Sequence, residues 1–291
     1  MTWWQWLVWV LCTLVVAWAG LSAWGNARWA GAASRLTHQL AAAGTPAPGP
    51  SSRPTHYQVA ELQGLPAPVQ RYFRTVLTPG QPLVTAATIH LSGRFNMSPT
   101  GEQWKPFTSV QQVATRRPGF LWNARIQMLP GLPVRVVDSC IAGTGRLHAA
   151  VLGLFTVAQA QSQGADELAR GEFMRWFAET PWYPTALLPS QGVRWQAVDD
   201  NSATATVVDG TLTVTLLFRF NAAGLIESFR AEARGHGVGR EMRMLPWEGR
   251  WSDYRVQSGV KLPFTGEVGW VWPEGWRGYF VGTVTSAVHD F

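Results

Sequence analysis

Beyond Thr88 the chain is governed by one pattern: apolar and polar residues alternate with a period of two. In "TIHLSGRFNM", Ile89, Leu91, Phe95 and Met97 share one face, while His90, Ser92, Arg94 and Asn96 share the other. An extended backbone places successive side chains on opposite sides, so this spacing predicts a strand with one buried face. Gly93 falls on the apolar face, where a glycine suits a bend. The pattern returns in "FTSVQQVAT", "FLWNARIQM", "LPVRVVDSCI" and "RLHAAVLGL". It continues in "VRWQAVDD", "SATATVVDG", "TLTVTLLFRF", "GLIESFRAEAR", "REMRMLPWEG", "RWSDYRVQ", "FTGEVGWVW" and "GYFVGTVTSAV". Turn sequences separate the segments: "RRPG", "AGTG", Asp209-Gly210, Asn221–Gly224 and Ser258-Gly259. The fold class is therefore mainly β (α+β): a strongly curved antiparallel sheet or half-barrel of about ten strands, covered by one or two helices.

Two body segments change to helical spacing. In "LPAPVQRYFRTVL" the residues Val69, Tyr72, Phe73, Val76 and Leu77 make one stripe, and prolines stand at its front. Asp166 opens "DELARGEFMRWFAE" as an acidic N-cap. The dense stretch "AETPWYPTALLPSQGVRW" (residues 178–195) follows. Thr180 or Pro181 ends the helix, because a residue before proline leaves the helical region. Pro184 and Pro189 frame one short turn, and Val193 starts the next strand. Leu187 and Leu188 are expected to plug the open side of the sheet, with Trp182 and Tyr183 beside the opening.

The N-terminus differs in kind. Trp3 to Trp24 holds no charged residue. As a helix it would span about 33 Å, close to the hydrocarbon thickness of a bilayer. No Lys or Arg precedes it, and tryptophans stand at both ends, which suits a retained transmembrane anchor better than a cleaved signal. Residues 1–26 are read as the anchor, and 27–60 as a helical extension followed by the proline-rich spacer "GTPAPGPSSRPT". Residues 61–291 are read as one β-rich domain. Arg28 and Arg35 follow the anchor and favour a cytoplasmic body. Two arginines leave the side of the membrane open.

Composition narrows the function by exclusion. The formal net charge is +6, but three arginines and no acids precede Glu61. The remainder carries 21 basic and 18 acidic residues, an ordinary balance that does not point to nucleic acid. Cys12 lies in the apolar run and Cys140 stands alone in the body, so no disulfide is expected there. The chain contains no HExxH, CxxC, Walker A or GxSxG motif. The six histidines are scattered without ligand spacing, and Asp199-Asp200-Asn201 reads better as a turn than as a cation site. "GHGVG" (235–239) reads as a hairpin turn. Arg230, Arg234, Arg240 and Arg243 around it read as a solvated strand face rather than a headgroup-binding rim. No cofactor, metal or catalytic set is expected.

The remaining candidates are polar groups inside apolar strands and an unusual load of tryptophan. Asp138 sits in an apolar strand and Arg125 in the strand before it, which suggests a cross-strand ion pair. Arg175 and Glu179 on the second helix would join such a cluster. Ten tryptophans lie between residues 104 and 276, enough to line an apolar cavity with indole N–H groups as polar handles. The candidate ligand-binding residues are Trp122, Arg125, Asp138, Glu179, Trp182, Tyr183, Leu187 and Trp195.

Several segments together resemble a bacterial family of unknown function: "LPAPVQRYFRTVL", "PGFLWNARIQMLPGLPVRVVDS", "RWFAETPWYPTALLPSQGVRW", "DGTLTVTLLFRFNAAGLIESFRAEAR" and "WEGRWSDYRVQSGVKLPFTGEVGW". The resemblance runs from about Leu65 to the C-terminus and is most specific around Trp182-Tyr183-Pro184-Thr185. It implies no activity or site residue. The strand-rich layout is similar in outline to the curved-sheet, helix-plugged fold of the bacterial lipoprotein carriers (LolA/LolB-like), an analogy of fold alone. The expected protein is a single-pass protein of the bacterial inner membrane whose β domain binds a lipid or another apolar ligand. Two alternatives stay open: an envelope hydrolase built on Asp138, Glu179, Arg125 and Arg175, and a non-catalytic interaction scaffold.

Overall fold

The computed structural model describes residues 2–44, 54–98, 101–164, 166–237, 242–257 and 259–291. It opens with one helix, α1 (Trp3–Gly44), of 42 residues. The helix is long and apolar enough to cross a membrane. Its two ends behave differently. Residues 2–21 are exposed, whereas Gly25, Trp29, Ala33, Leu36 and Leu40 are buried at helical spacing. The helix is continuous, and its second half docks on the body. Most of the proline-rich spacer, residues 45–53, lies outside the described residues.

After α2 (Ala67–Val76), six strands follow: β1 (Ala86–Asn96), β2 (Trp104–Ala114), β3 (Gly119–Leu129), β4 (Leu132–Ile141), β5 (Thr144–Val151) and β6 (Phe155–Gln163). Then come α3 (Glu167–Ala178) and three single 3-10 turns between Thr180 and Gln191. Seven strands complete the chain: β7 (Arg194–Asp199), β8 (Ser202–Asp209), β9 (Leu212–Phe220), β10 (Ile226–His236), β11 (Arg243–Gln257), β12 (Val260–Trp272) and β13 (Gly275–Asp290). All thirteen form one antiparallel sheet ordered β6-β5-β4-β3-β2-β1-β13-β12-β11-β10-β9-β8-β7. The first and last strands meet in its middle, and β6 and β7 are its free edges. The sheet stays open.

The sheet has thirteen strands against the expected ten or so, and the segments differ from the sequence reading at two places. "FTVAQAQSQ" forms β6 although most of its residues are exposed, so burial left no alternation to read. In the other direction, "REMRMLPWEG" and "RWSDYRVQ" are parts of one long strand, β11. The "GHGVG" turn lies partly outside the described residues.

Bending has a visible cause at the centre of the sheet. Gly93 pairs with Gly282, and Gly282 with Gly266, giving a glycine row across β1, β13 and β12. A Cβ on Gly93 would overlap the β13 backbone and come within 2.9 Å of the Phe107 ring. One on Gly266 would come within 2.6 Å of the Trp251 ring. The row therefore lets large rings fold inward over bare backbone.

The curved sheet has an inner and an outer face. On the inner face α3 reaches β3, β4, β5 and β6 in one arm and β9 and β10 in the other. It acts as a crossbar between the arms. Phe173, Trp176, Phe177, Trp182, Tyr183, Leu187 and Leu188 all belong to the main core. The Asp166 carboxylate accepts the Leu168 N–H at 2.9 Å, as an N-cap should. On the outer face the docked half of α1 makes a smaller second core: Trp29, Leu36 and Leu40 against Ala114, Leu121, Val137 and Ala150. Trp29 donates its indole N–H to Asn123 at 3.0 Å, and Thr37 donates to Gln112 at 2.6 Å.

Candidate functional site

Strand register builds one half of the site. Gln111 pairs with Trp122, and Trp122 with Asp138, so the three stand in a row across β2, β3 and β4 on the inner face. The crossbar helix lays Glu172, Arg175 and Glu179 over this row, at i, i+3 and i+7 on one helical face.

Arg175 is the hub. Its Nη1 donates to Asp138 Oδ2 at 2.6 Å, its Nε to Glu179 Oε1 at 2.9 Å, and its Nη2 to Gln111 Oε1 at 3.3 Å. Gln111 returns a bond through Nε2 to Glu179 Oε2 at 2.7 Å. The guanidinium also stands 4.9 Å from the Phe120 ring centroid and 5.0 Å from that of Trp122. Burial alone would lower its pKa, but the carboxylates of Glu179 and Asp138 outweigh that and raise it, fixing the charge.

The opposite arm contributes Arg234 from β10. Its Nη2 lies 3.6 Å from Glu172 Oε1, and its guanidinium lies 4.2 Å from the Trp247 ring centroid. Glu172 bridges the arms. Its carboxyl pKa is raised well above the usual glutamate range, first by burial and then by the neighbouring Asp138 charge. Arg234 and Arg175 pull the other way without prevailing. Glu172 Oε2 and Asp138 Oδ1 are both buried without a donor. A proton on Glu172 directed at Asp138 satisfies both oxygens. It also makes the cluster neutral, with two guanidinium groups facing the carboxylates of Asp138 and Glu179.

Beyond this polar arc the inner face is aromatic. The Trp122 ring meets Phe107 at 5.9 Å, and Phe107 in turn meets Phe280 at 5.2 Å. Phe95, the register partner of Phe280, meets Tyr279 at 5.6 Å. Tyr279 stacks on Trp270 at 6.1 Å, and Trp270 lies 5.7 Å from Arg234. The polar and aromatic arcs thus border one end of the curved sheet. Phe95, Val268, Trp270, Tyr279 and Phe280 are only partly buried there. Polar atoms without partners concentrate beside the same arc: Ser109 Oγ and Trp122 Nε1, in addition to the two carboxyl oxygens.

The sequence-predicted residues separate into three groups. Trp122, Asp138 and Glu179 converge around Arg175. Arg125 does not join them. With Trp122 facing inward, Arg125 has the opposite parity; it is exposed on the outer face and pairs in register with Arg135. The expected Arg125–Asp138 ion pair is replaced by Arg175–Asp138. The four-residue hydrolase constellation therefore does not assemble. The third group is core. Trp182 and Tyr183 are 2% and 0% exposed, so they are not at a mouth. The Trp182 indole donates to the Pro263 carbonyl at 3.0 Å, and the Tyr183 hydroxyl to the Trp176 carbonyl at 2.6 Å. Leu187 is fully buried, as expected of a plug, and its carbonyl accepts the Trp195 indole N–H at 3.0 Å. Trp195 packs on Phe73 and Phe218, away from the polar arc.

Sequence reasoning missed Glu172 and misplaced Arg234, which is buried over Trp247 rather than solvated. Arg230 does lie on a charged strand face, paired with Glu232 and Glu248. Asp199 closes the expected turn by accepting the Asn201 N–H at 2.8 Å. Among the described residues no three His, Cys, Asp or Glu side chains are grouped as a metal site would need. Cys140 is buried, and its thiol pKa is pushed up to about 12 by burial and then by Glu172, Asp209 and Asp138.

No curated protein matches the chain. Among solved structures it is similar to a LolA superfamily protein from Nitrosomonas europaea, with 11% identity and a TM-score of 0.40 over 77% of this chain and 93% of that one. It is also similar to a beta-barrel-like protein of a domain of unknown function (DUF1849) from Brucella abortus, with 9% identity and a TM-score of 0.23 over 72% of this chain and 99% of that one. The family model that matches spans residues 63–289, and the chain belongs to that family of unknown function (DUF6920).

Proposed function

We propose that the domain holds an amphipathic ligand, a lipid or another largely apolar molecule, at the open end of its curved sheet. In this reading α1 anchors it as a single-pass protein of a bacterial inner membrane, and residues 61–291 act as one ligand-binding unit. The observation that carries the reading is the pairing of two unlike arcs at one end of the fold. Partly exposed Phe95, Trp270, Tyr279 and Phe280 offer apolar surface. Beneath them, Trp122 Nε1 and Ser109 Oγ are buried without partners, and a headgroup that enters between the arms would meet them as polar handles. Asp138 and Glu179 hold Arg175 in place behind these handles.

The test uses the full chain in phosphatidylcholine nanodiscs with a photo-crosslinking fatty acid. The expected adducts map to β1, β2, β12 and β13 around Phe95 and Phe280. They should fall at least tenfold in Phe95→Asp and in Val268→Glu. Adducts confined to α1, or unchanged in both variants, would overturn the proposal.

A further inference from the structure

The outer face carries a feature that the open end does not explain. Two hairpin turns are seated directly on α1. The β5–β6 turn packs at Gly25, where any Cβ would overlap the Leu152 carbonyl. The β3–β4 turn packs lower still: a Cβ on Gly131 would lie 2.9 Å from the Trp18 ring.

Depth follows from the helix. The charge-free run begins at Trp3, and Trp24 stands at its far end. About 20 helical residues cross a bilayer core, which puts Trp24 at headgroup level. Trp18 is then about 9 Å deeper. The β3–β4 ribbon runs alongside α1 with matching distances. Gly131 meets Trp18, and Arg135 Nη2 donates to Asn26 Oδ1 at 2.6 Å. The strand interval is about 13 Å and the helical one about 12 Å. The ribbon therefore descends with the helix rather than crossing it.

Side chains at these turns suit that depth. Leu129, Phe155 and Val157 are 58%, 60% and 61% exposed, more than most apolar residues of the body. At Asn26 level the chemistry changes sign. Arg125 and Arg135 pair across β3 and β4, and the ion pairs of the described residues include neither. Arg135 Nε is buried and without an acceptor. Two adjacent guanidinium groups without a carboxylate, above an apolar tip, match the order of charge in an anionic leaflet.

We propose that the outer face where α1 leaves the bilayer is itself a membrane-contact surface. The β3–β4 and β5–β6 turns enter the lipid interface, and the Arg125–Arg135 pair takes the phosphate of an anionic phospholipid. This rests on α1 spanning the bilayer, and not on any ligand at the open end. It fixes the height and tilt of the domain over the membrane.

The test places an environment-sensitive fluorophore at Leu129→Cys, Val157→Cys or the control Val208→Cys. The full chain, with Cys12→Ala, is reconstituted into vesicles of phosphatidylcholine alone or mixed with phosphatidylglycerol. Labels at positions 129 and 157 should shift to the blue and lose most of their emission to lipids spin-labelled near the headgroup, while position 208 does not. Quenching by spin-labelled phosphatidylglycerol should exceed that by phosphatidylcholine about fivefold for each arginine. That preference should vanish in Arg125→Gln and Arg135→Gln together. Solvent-like, unquenched labels at positions 129 and 157 would overturn the insertion. Equal quenching by the two lipids would overturn the headgroup assignment.

Discussion

Glu172→Gln isolates the protonation state on which the polar arc depends. The glutamine amide can donate to Asp138 and accept from Arg234, so it reproduces a protonated Glu172 and cannot ionise. Glu172 has a folded pKa above its unfolded value, so the unfolded chain releases the proton first as pH rises. Stability is then fullest below about pH 4.3, and each further pH unit costs about 1.4 kcal/mol until the folded carboxyl itself titrates. The loss accumulates at that slope over the pH range in which the unfolded carboxyl is ionised and the folded one is not, and each kcal/mol lowers Tm by roughly 2–4 °C for a domain of this size. The wild type should therefore melt progressively below Glu172→Gln as pH rises through this window. The two should converge near pH 4. Thermal unfolding of the full chain in detergent, followed by tryptophan emission, reads the difference directly. Parallel curves, or a glutamine variant less stable at pH 7, would show that Glu172 is ionised in the fold and that the neutral cluster is wrong.

Three further outcomes follow from the same geometry. Arg175→Ala leaves Asp138 and Glu179 buried without their cation and should cost about 3–5 kcal/mol, read as a lower denaturation midpoint; a loss under about 1 kcal/mol would mean that water already screens the hub. Gly25→Leu should lift the docked half of α1 from the sheet, so hydrogen exchange between Trp29 and Leu40 should accelerate while the main core stays protected; unchanged protection there would refute the close approach. Cys140 should resist maleimide at neutral pH in the folded chain and react on unfolding, because burial raises its thiol pKa to about 12; labelling of the native chain would contradict its place in the core.

What the sequence discloses divides along the line between local and long-range physics. Ile89, Leu91 and Phe95 show their strand because alternation needs only neighbouring residues, and β6 stays hidden because an exposed edge writes no alternation. The α2 stripe and the Asp166 cap are local in the same way, and both are where the spacing puts them. The polar arc is not local. Asp138 is visible as an acid among apolar residues, yet its partner is decided by parity and by where α3 crosses the sheet. Arg125 is nearer in sequence than Arg175, but one residue of parity turns it to the opposite face. Glu172 and Arg234 leave even less trace, since each reads as an ordinary charge until the two arms are brought to the same helix.

The stretch around Trp182 fails as a pocket for the opposite reason. Its prolines do keep the backbone irregular, but irregular backbone inside a closed core must satisfy its polar groups from nearby. The Trp182 and Tyr183 side chains spend their donors on carbonyls of β12 and α3, and the Trp182 carbonyl accepts from His289 at 2.8 Å. A donor already bonded within the core has nothing left to offer a ligand, whereas the Trp122 indole N–H, though equally buried, has no partner. Aromatic content alone therefore cannot separate plug from pocket. Unpaired atoms alone do not make the separation either, since Trp251 Nε1 and His289 Nδ1 beside Trp182 are also without partners. The proposed ligand site is put at the Trp122 end of the crossbar because the partly exposed rings of Phe95, Trp270, Tyr279 and Phe280 border that end.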